Sequence, residues 1–583
     1  MWPFYLRYPL KSVEEVAAHE YDYIIIGGGT AGCAVASRLS EDRAVSVLLL
    51  EKGELSDHWI SRIPLASVVN GSYVVRKPID PEAGKGNRKH HVIAAEALGG
   101  NSRNNAMVYT RSVPAYYHRW ALLGHPTWNW DTVQPYFSKI EHMQGRESPR
   151  GTVHIRQHEP VSRIYGFLKR SAQSLGLTVD VNLDDPSSPA MGYFDLSLTI
   201  DSDGYRHSAE RAYLPYNVAI ERKGSLHICT GATVKRLDLS SDGSVASGVI
   251  VQHPRSNPEG EVHIKAKREI ILCAGSICTP QILQLSGIGP RDLLQRYGVS
   301  LRHELSGVGD SLSDHASFPL FVDVDPDDTL HQLVRNPLQA LKQLFLFVIW
   351  GAGWLKASLD RAIFLNTAHL DRDTMKVRDN TSLLDSSKVE NIPNVEIMIV
   401  PVNTRPETYP KNASMTFQIA LNQPFSTGTV QINSTDPSAH PTIRLGTLSD
   451  ARDREVARDA LRFSLHLAEH FTAESGYPYA SRVFKGPASP GSSQDWRDIS
   501  DDDLDRYVEE NIEPTYHLTG SCRMGRREEG GVVDDELRVH GARNLRIADA
   551  SVLPIIPCAH PMATVYMVAE RCADLVKETW GGR

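Results

Sequence analysis

The stretch that most limits how this chain can fold is Tyr21 to Gly32, YDYIIIGGGTAG, followed directly by CAVASRLSE and AVSVLLLEKG. It reads as strand, glycine turn, helix and second strand. Ile24 to Ile26 suit a strand buried on both faces of a parallel sheet, and Gly27, Gly29 and Gly32 fall at the spacing of a dinucleotide fingerprint. The first glycine permits the tight turn, the second lets backbone N–H groups approach a pyrophosphate, and the third lets helix and strand pack closely. Glu51 ends the second strand, where a carboxylate can accept hydrogen bonds from ribose hydroxyls. A lone GxGxxG also occurs in ordinary turns, so the weight rests on the flanking elements and Glu51. Together they predict an adenine-dinucleotide site without separating FAD from NAD.

The chain has 583 residues, too many for one ordinary core. Its apolar fraction of 41% and charged fraction of 23% are those of folded globular proteins, which excludes disordered, collagenous and coiled-coil classes. A net charge of -8 without a basic stripe argues against a nucleic-acid partner. Seven scattered cysteines form neither a CxxC pair nor a zinc-ligand spacing. The sequons at Asn70, Asn380, Asn412 and Asn433 are about as many as chance gives. The N-terminal apolar patch, broken by Pro3, Arg7 and Pro9, lacks the h-region of a signal peptide, and the C-terminal WGGR is not a peroxisomal signal, so an intracellular, cytoplasmic location is expected. Leu341 to Leu355 is the most apolar later stretch. It contains Lys342 and two glycines and falls short of the ~20 residues of a spanning helix.

Further along, LGGNSRNNAMVYTR (Leu98 to Arg111) is either a ligand-lining loop or a surface turn, and composition does not decide between them. Leu226 to Leu237 and Gly248 to Val251 read as short strands. Lys267 to Gly289 repeats the strand, small-residue turn and helix. From about residue 316 to 510 the chain is richer in Pro and Asp and reads as a separate unit. Within it, SDDDLD from Ser500 is a solvated helix start. Phe345 to Trp354 reads foremost as a buried helix, with the border of a hydrophobic entrance as the alternative.

The last 70 residues hold YHLTGSCRMG from Tyr516, NLRIADASVLP from Asn544 and HPMATVYMVAERCADLV from His560. Pro561 suits the first turn of a helix running toward Val576. The amides at that helix start can stabilise negative charge on the pyrimidine side of a reduced flavin, and Asp549 can accept from a cofactor hydroxyl. Oxidising an alcohol requires a base for the O–H, and an imidazole near neutral pKa is suited to it. Any one of 23 histidines is ordinarily a surface or satisfied core residue, but His517 and His560 form a pair in turn-like contexts, one to take the proton and one to orient the hydroxyl.

These motifs resemble, in the same order from about Tyr21 to Val576, those of the glucose–methanol–choline (GMC) oxidoreductases. GGGTAG with Glu51 resembles the family's FAD fingerprint, and LGGNSRNNAMVYTR its second FAD loop. GSICTPQILQLSGIG is similar to the second signature, and HLTGSCRMG with the His560 segment to the catalytic end. GYRHSAERAYL from Gly204 and GVGDSLSDH ending at His315 are smaller echoes.

The resemblance implies an α/β protein (α+β overall), with a Rossmann-like FAD-binding domain interleaved with a sheet-based substrate domain. The expected boundaries are 17–155, 205–315 and 511–583 for the first and 156–204 and 316–510 for the second. It implies FAD held by Gly27, Gly29, Thr30, Ala31, Gly32, Glu51, Asn101, Asn105, Ala106, Met107, Val108, Val234, Asp549, Ala550, Met562 and Ala563. His517 becomes the base and His560, where members carry His or Asn, its assistant. Ala94 to Glu96 stand where members often have a basic residue and glycine, Asn101 replaces a usual Ser, and Ser311 a common Asn. The second FAD loop carries no histidine for a covalent flavin link, so dissociable FAD is expected. The reaction implied is oxidation of a small aromatic or lipophilic alcohol, with oxygen or another molecule as electron acceptor. A lyase, isomerase or photodecarboxylase on the same fold is the alternative.

Overall fold

The computed structural model describes residues 8–581 except 57, 66–72, 81–89, 144–150, 158–160, 253–259, 357–358, 380–384, 409–412 and 489–494. Three sequons, at Asn70, Asn380 and Asn412, and the chain ends 1–7 and 582–583 lie outside the described residues.

The apolar run Tyr21–Ile26 forms the middle of a seven-stranded sheet. Val47–Leu50 and then Leu226–Cys229 lie on one side of it, and Glu261–Leu272 and Leu545–Ile547 on the other, all parallel. Every residue of Ile24 to Ile26 and Val47–Leu50 is buried, as a strand covered on both faces requires. The Leu226 to Leu237 stretch proves to be two strands, Leu226–Cys229 and Thr233–Leu239, broken at Gly231, whose φ is +68°. The second of them pairs with Ala246–Gln252, which returns antiparallel to Glu261–Leu272.

Because the five parallel strands run the same way, their carboxyl ends share one edge. The segments that leave it begin at Gly27, Glu51, Thr230, Cys273 and Ala548. That edge is where open α/β sheets bind ligands. Thr30–Leu39 and the C-terminal helix Met562–Trp580 pack against each other beside this sheet. They are joined by Glu570, fully buried, which accepts from Arg38 Nε at 2.9 Å and from the Tyr213 hydroxyl at 2.9 Å.

A second seven-stranded sheet is antiparallel, in the order Val483–Lys485, Ala316–Asp323, Ser414–Leu421, Val395–Val400, Arg361–Leu365, Gly192–Asp195. Glu513–Pro514 pairs beside Ala316–Asp323. Strand alternation divides its side chains between two faces. Phe318, Ile363, Ile397 and Phe417 join a core with the helices Ile164–Ser174, Ala451–Ala473 and Asp501–Asn511. Phe364, Met398 and Ala420 turn the other way and pack with Met107 and Ala559, so this face meets the first unit. Ser500 caps its helix through Asp503 N, as SDDDLD predicts.

One expectation is corrected. The helix Pro337–Trp350 has only Gln343 and Phe347 buried, and its other apolar side chains are largely exposed. It is not a core helix.

Candidate active site

At the glycine turn, three side chains are excluded by backbone. A Cβ on Gly27 would lie 2.5 Å from Cys273 O, one on Gly32 1.8 Å from Gly27 O, and one on Gly100 2.6 Å from Gly29 Cα. The first fingerprint loop and the second loop therefore meet glycine to glycine. Thr30, Ala31 and Gly32 form the first turn of Thr30–Leu39, and Gly29 at its N-cap provides no side-chain cap. The N–H groups of that turn are left for an external acceptor, as a pyrophosphate site needs. Glu51 accepts from Gly28 N and Gly53 N, both at 2.7 Å, and burial pushes its pKa up to about 7 against those two bonds. Ala232 N donates to Glu51 O at 2.9 Å, which carries Val234 past this corner with 8% of its surface exposed. The corner is a backbone cradle with one buried carboxylate, which fits the adenosine diphosphate half of FAD.

The second loop is held from behind by the GYRHSAERAYL echo. Arg206 donates to Asn105 Oδ1 at 2.7 Å, Asn105 O at 2.7 Å and Ser102 O at 3.0 Å, and burial lowers its pKa to about 9. Arg103 and Glu210 form a buried ion pair at 2.7 Å, and Ala209 N donates to Ser102 Oγ. So braced, Asn105 accepts from Met107 N and places its Nδ2 3.1 Å from Met562 Sδ. Met107 takes a φ of +64° while fully buried, a strain that the surrounding bonds impose on the loop. Ala106 and Val108 continue it. Met562 and Ala563 open the C-terminal helix, whose N-cap Pro561 likewise makes no side-chain cap. A second set of free amides thus sits beside Asn105, as the flavin end requires. Asn101 faces the chain instead, accepting from Ala95 N at 2.8 Å, while Glu96 pairs with Lys52 and Lys77. Asp549 also has internal partners, Gly275 N at 2.8 Å, Thr279 Oγ1 at 2.6 Å and Ser551 N at 2.8 Å, and Ala550 O accepts from Gly520 N.

The two histidines of the C-terminal region come together. The rings of His517 and His560 lie edge to face with centroids 4.7 Å apart. Each is held by a residue that motif reading gave no role. His315 Nδ1 is 3.0 Å from His517 Nδ1, and its Nε2 is 2.9 Å from Pro557 O. A carbonyl only accepts, so Nε2 of His315 carries the proton. Burial keeps the ring neutral, with its pKa lowered to about 3, so Nδ1 of His315 must accept. His517 Nδ1 is then the donor, and the lone pair of His517 lies on Nε2. Burial, with His560 and His315 beside it, also holds the His517 pKa well below 6.5.

Backbone geometry fixes the position of His517. Asp314 accepts from the N–H groups of Thr515, Tyr516 and His517 at 3.1, 3.3 and 2.6 Å, and Tyr516 takes a φ of +66°. Burial raises the Asp314 pKa to about 7 against these bonds. On the other side, His560 Nε2 is 3.1 Å from Glu396 Oε1, while Glu396 Oε2 is buried with no hydrogen-bond partner among the described residues. Asn422 and Gln423 fix the preceding turn by donating to Cys558 O at 2.9 Å and Ile556 O at 3.0 Å.

Glu396 belongs to the sheet face that meets the first unit. Phe364, Glu396, Ala420 and Ser317 are successive register partners across four strands. Ser317 accepts from Gln418 Nε2 at 2.8 Å and from Thr515 Oγ1 at 3.0 Å. The wall beside the histidines is therefore mostly apolar, with a buried carboxylate inside it. A signal for Glu396 exists in the sequence: it is the one charged residue in the apolar run VEIMIV.

Two family models, both described as GMC oxidoreductase, match residues 21–317 and 424–569. The chain is 30% identical to the dehydrogenase pkfF of Emericella nidulans, over 96% of this chain and 93% of the relative. It is 32% identical to the oxygen-dependent choline dehydrogenase of Ectopseudomonas mendocina, over 96% of this chain and 94% of the relative. Among solved structures it resembles an FAD-dependent oxidoreductase from Chaetomium thermophilum, with a TM-score of 0.81 and 27% identity over 96% of this chain and 99% of that one.

Proposed function

The chain belongs to the GMC oxidoreductase family, and from that premise we propose that it oxidises a small aromatic or lipophilic alcohol to the aldehyde or ketone, with His517 as base and His560 as orienting group. As a member of the family it is an FAD-dependent enzyme acting on CH–OH donors. Bound FAD supplies the acceptor for the hydride that leaves the alcohol carbon.

One observation carries the assignment of the base. The relay from Pro557 O through His315 leaves the His517 lone pair on Nε2, in a ring whose centroid lies 4.7 Å from that of His560. His517 takes the hydroxyl proton at Nε2, and its depressed pKa keeps it unprotonated at neutral pH. His560 keeps Nε2 on Glu396, and with that carboxylate to balance its charge it carries a proton on Nδ1 as well and donates it to the substrate oxygen. Asp314 fixes the backbone that aims His517. Phe364, Met398 and Ala420 exclude water and favour an apolar substrate body.

The amides at the starts of Thr30–Leu39 and Met562–Trp580, with Gly29, Glu51, Asn105 and Val234, hold dissociable FAD. Residues 17–155, 205–315 and 511–583 form the FAD-binding domain, and 156–204 and 316–510 the substrate domain.

The test is an anaerobic absorbance scan of the purified yellow protein against aliphatic, aromatic and lipophilic alcohols. Bleaching by one of the apolar alcohols, abolished in His517→Ala with the flavin retained, supports the reading, and readmitted air then separates an oxidase from a dehydrogenase. A flavin that none of them bleaches overturns it.

A further inference from the structure

Among the described residues, eight of the fifteen exposed large hydrophobic side chains lie between Val334 and Trp350. The helix Pro337–Trp350 that carries most of them is well formed. Asn336 caps it by accepting from Leu338 N and Gln339 N, and Gly351, at a φ of +56°, ends it. Its amphipathicity is inverted. Gln343 points inward and accepts from Trp354 N at 3.0 Å, and Phe347 packs edge-on against Tyr205. The outward stripe is Val334, Leu338, Leu341, Phe345 and Val348, with Ile349 beside it, each more than half exposed. Trp59 and Ile60 extend the surface, since Trp59 Nε1 donates to the hydroxyl of the same Tyr205. A contiguous apolar surface of this kind marks an interaction site.

We propose that this helix seats the protein on the surface of an anionic lipid bilayer. Charge selects the partner. From Thr329 to Leu359 the chain carries Arg335, Lys342 and Lys356 and no acidic residue, within a protein whose net charge is -8. Acidic residues stand at the two ends of this segment: Asp203, whose backbone abuts Gly351, and Asp327, whose carbonyl accepts from Gln332 Nε2. Cations flanking an apolar helix face suit the headgroup boundary of anionic lipid. A second copy of the chain is disfavoured. The stripe along Pro337–Trp350 has heptad spacing and Lys342 is the one charged residue of that helix, so an antiparallel two-fold pair sets cation against cation with no carboxylate on either helix to balance them. Fourteen residues rise about 21 Å, less than the roughly 30 Å of a hydrocarbon core, so the helix lies in the interface. No described helix is long and apolar enough to cross a membrane.

The experiment is flotation of the purified holoprotein with vesicles of phosphatidylcholine containing phosphatidylserine, and with phosphatidylcholine alone. Wild type is expected to float with the mixed vesicles, more weakly with the neutral ones and at high salt. The double variant Phe345→Asp, Ile349→Asp should lose at least roughly 100-fold in partitioning, about tenfold for each side chain no longer buried, with alcohol turnover in solution unchanged. Lys342→Gln tests the charge alone and should weaken the preference for phosphatidylserine while leaving binding to neutral vesicles unchanged. Wild type that stays in the soluble fraction overturns the proposal, as does undiminished flotation of the double variant. A dimer that these substitutions dissociate while vesicles leave it intact also overturns it, in favour of self-association.

Discussion

At the glycine corner of the site, Gly100 approaches Gly29 because Gly100 has no side chain, and the groups offered to a ligand are backbone amides. At the histidine corner the working groups are side chains, and each is held by another buried side chain: His517 by His315 and, through its backbone, Asp314, and His560 by Glu396. The first corner has no room for an added atom at Gly27, Gly32 or Gly100. The second tolerates changes of shape better than changes of proton position, because a buried hydrogen-bond chain assigns every lone pair. A site that binds through amides is specified by what is left out, and a site that moves a proton by which partner each nitrogen has.

The largest expected effect breaks the second corner. His517→Ala should lower the rate constant of flavin reduction by about 10²- to 10⁴-fold, the usual contribution of a general base, with FAD content unchanged. Rapid mixing under anaerobic conditions measures it, and unchanged reduction would remove His517 from the chemistry. Gly100→Ala attacks the first corner. Its Cβ meets Gly29 backbone at 2.6 Å, so FAD affinity should fall on the order of 10- to 100-fold, the consequence of ~1–3 kcal/mol of overpacking. Cofactor titration of the apoprotein reads this, and full yellow colour with wild-type affinity would show that the loops do not meet as described.

Two smaller effects sharpen the contrast. Glu396→Gln retains the shape but replaces a carboxylate partner of His560, so kcat should fall about tenfold, equivalent to the ~1.5 kcal/mol of one charge-assisted bond. FAD affinity should not move. The pH profile of kcat/KM follows from the direction of the His517 shift. Burial disfavours the imidazolium, so the base stays unprotonated as pH falls through 6.5 and the acid limb lies below that value. A limb at or above 6.5 would contradict a His517 kept neutral by burial. The smallest change is expected of Gly298→Ala, at a φ of +67° with nothing within 4 Å. It should cost ~1–2 kcal/mol of left-handed strain in thermal stability and leave both flavin binding and turnover intact, which distinguishes strain alone from the clash at Gly100.

How legible each corner was depended on sequence separation. Gly27, Gly32 and Glu51 lie within one strand–helix–strand unit, and their spacing alone predicts the tight turn and the buried carboxylate found there. Arg206, Asp314 and His315 lie in stretches that the family resemblance marks without giving these residues a role, and Glu396 lies in none. Arg206 reaches Asn105 across 101 positions and His315 reaches His517 across 202. Even so, Glu396 leaves a trace as a lone charge in an apolar strand. The helix Pro337–Trp350 misleads for the opposite reason: its composition is that of a core helix, and only the neighbours that leave its apolar stripe uncovered reveal a surface element.

The sequence by itself determined the parallel sheet, the glycine turn with its acidic partner, the family and its flavin, and the pair of histidines, because these are written in short-range spacing and in residue types with few alternative uses. The tertiary structure alone decided which nitrogen of His517 is left with a lone pair, which carboxylate holds His560, how the two glycine loops meet, and which way the apolar helix faces. Hydrogen-bond partners and burial are set by segments far apart in the chain, and no local pattern encodes which of them will come into contact.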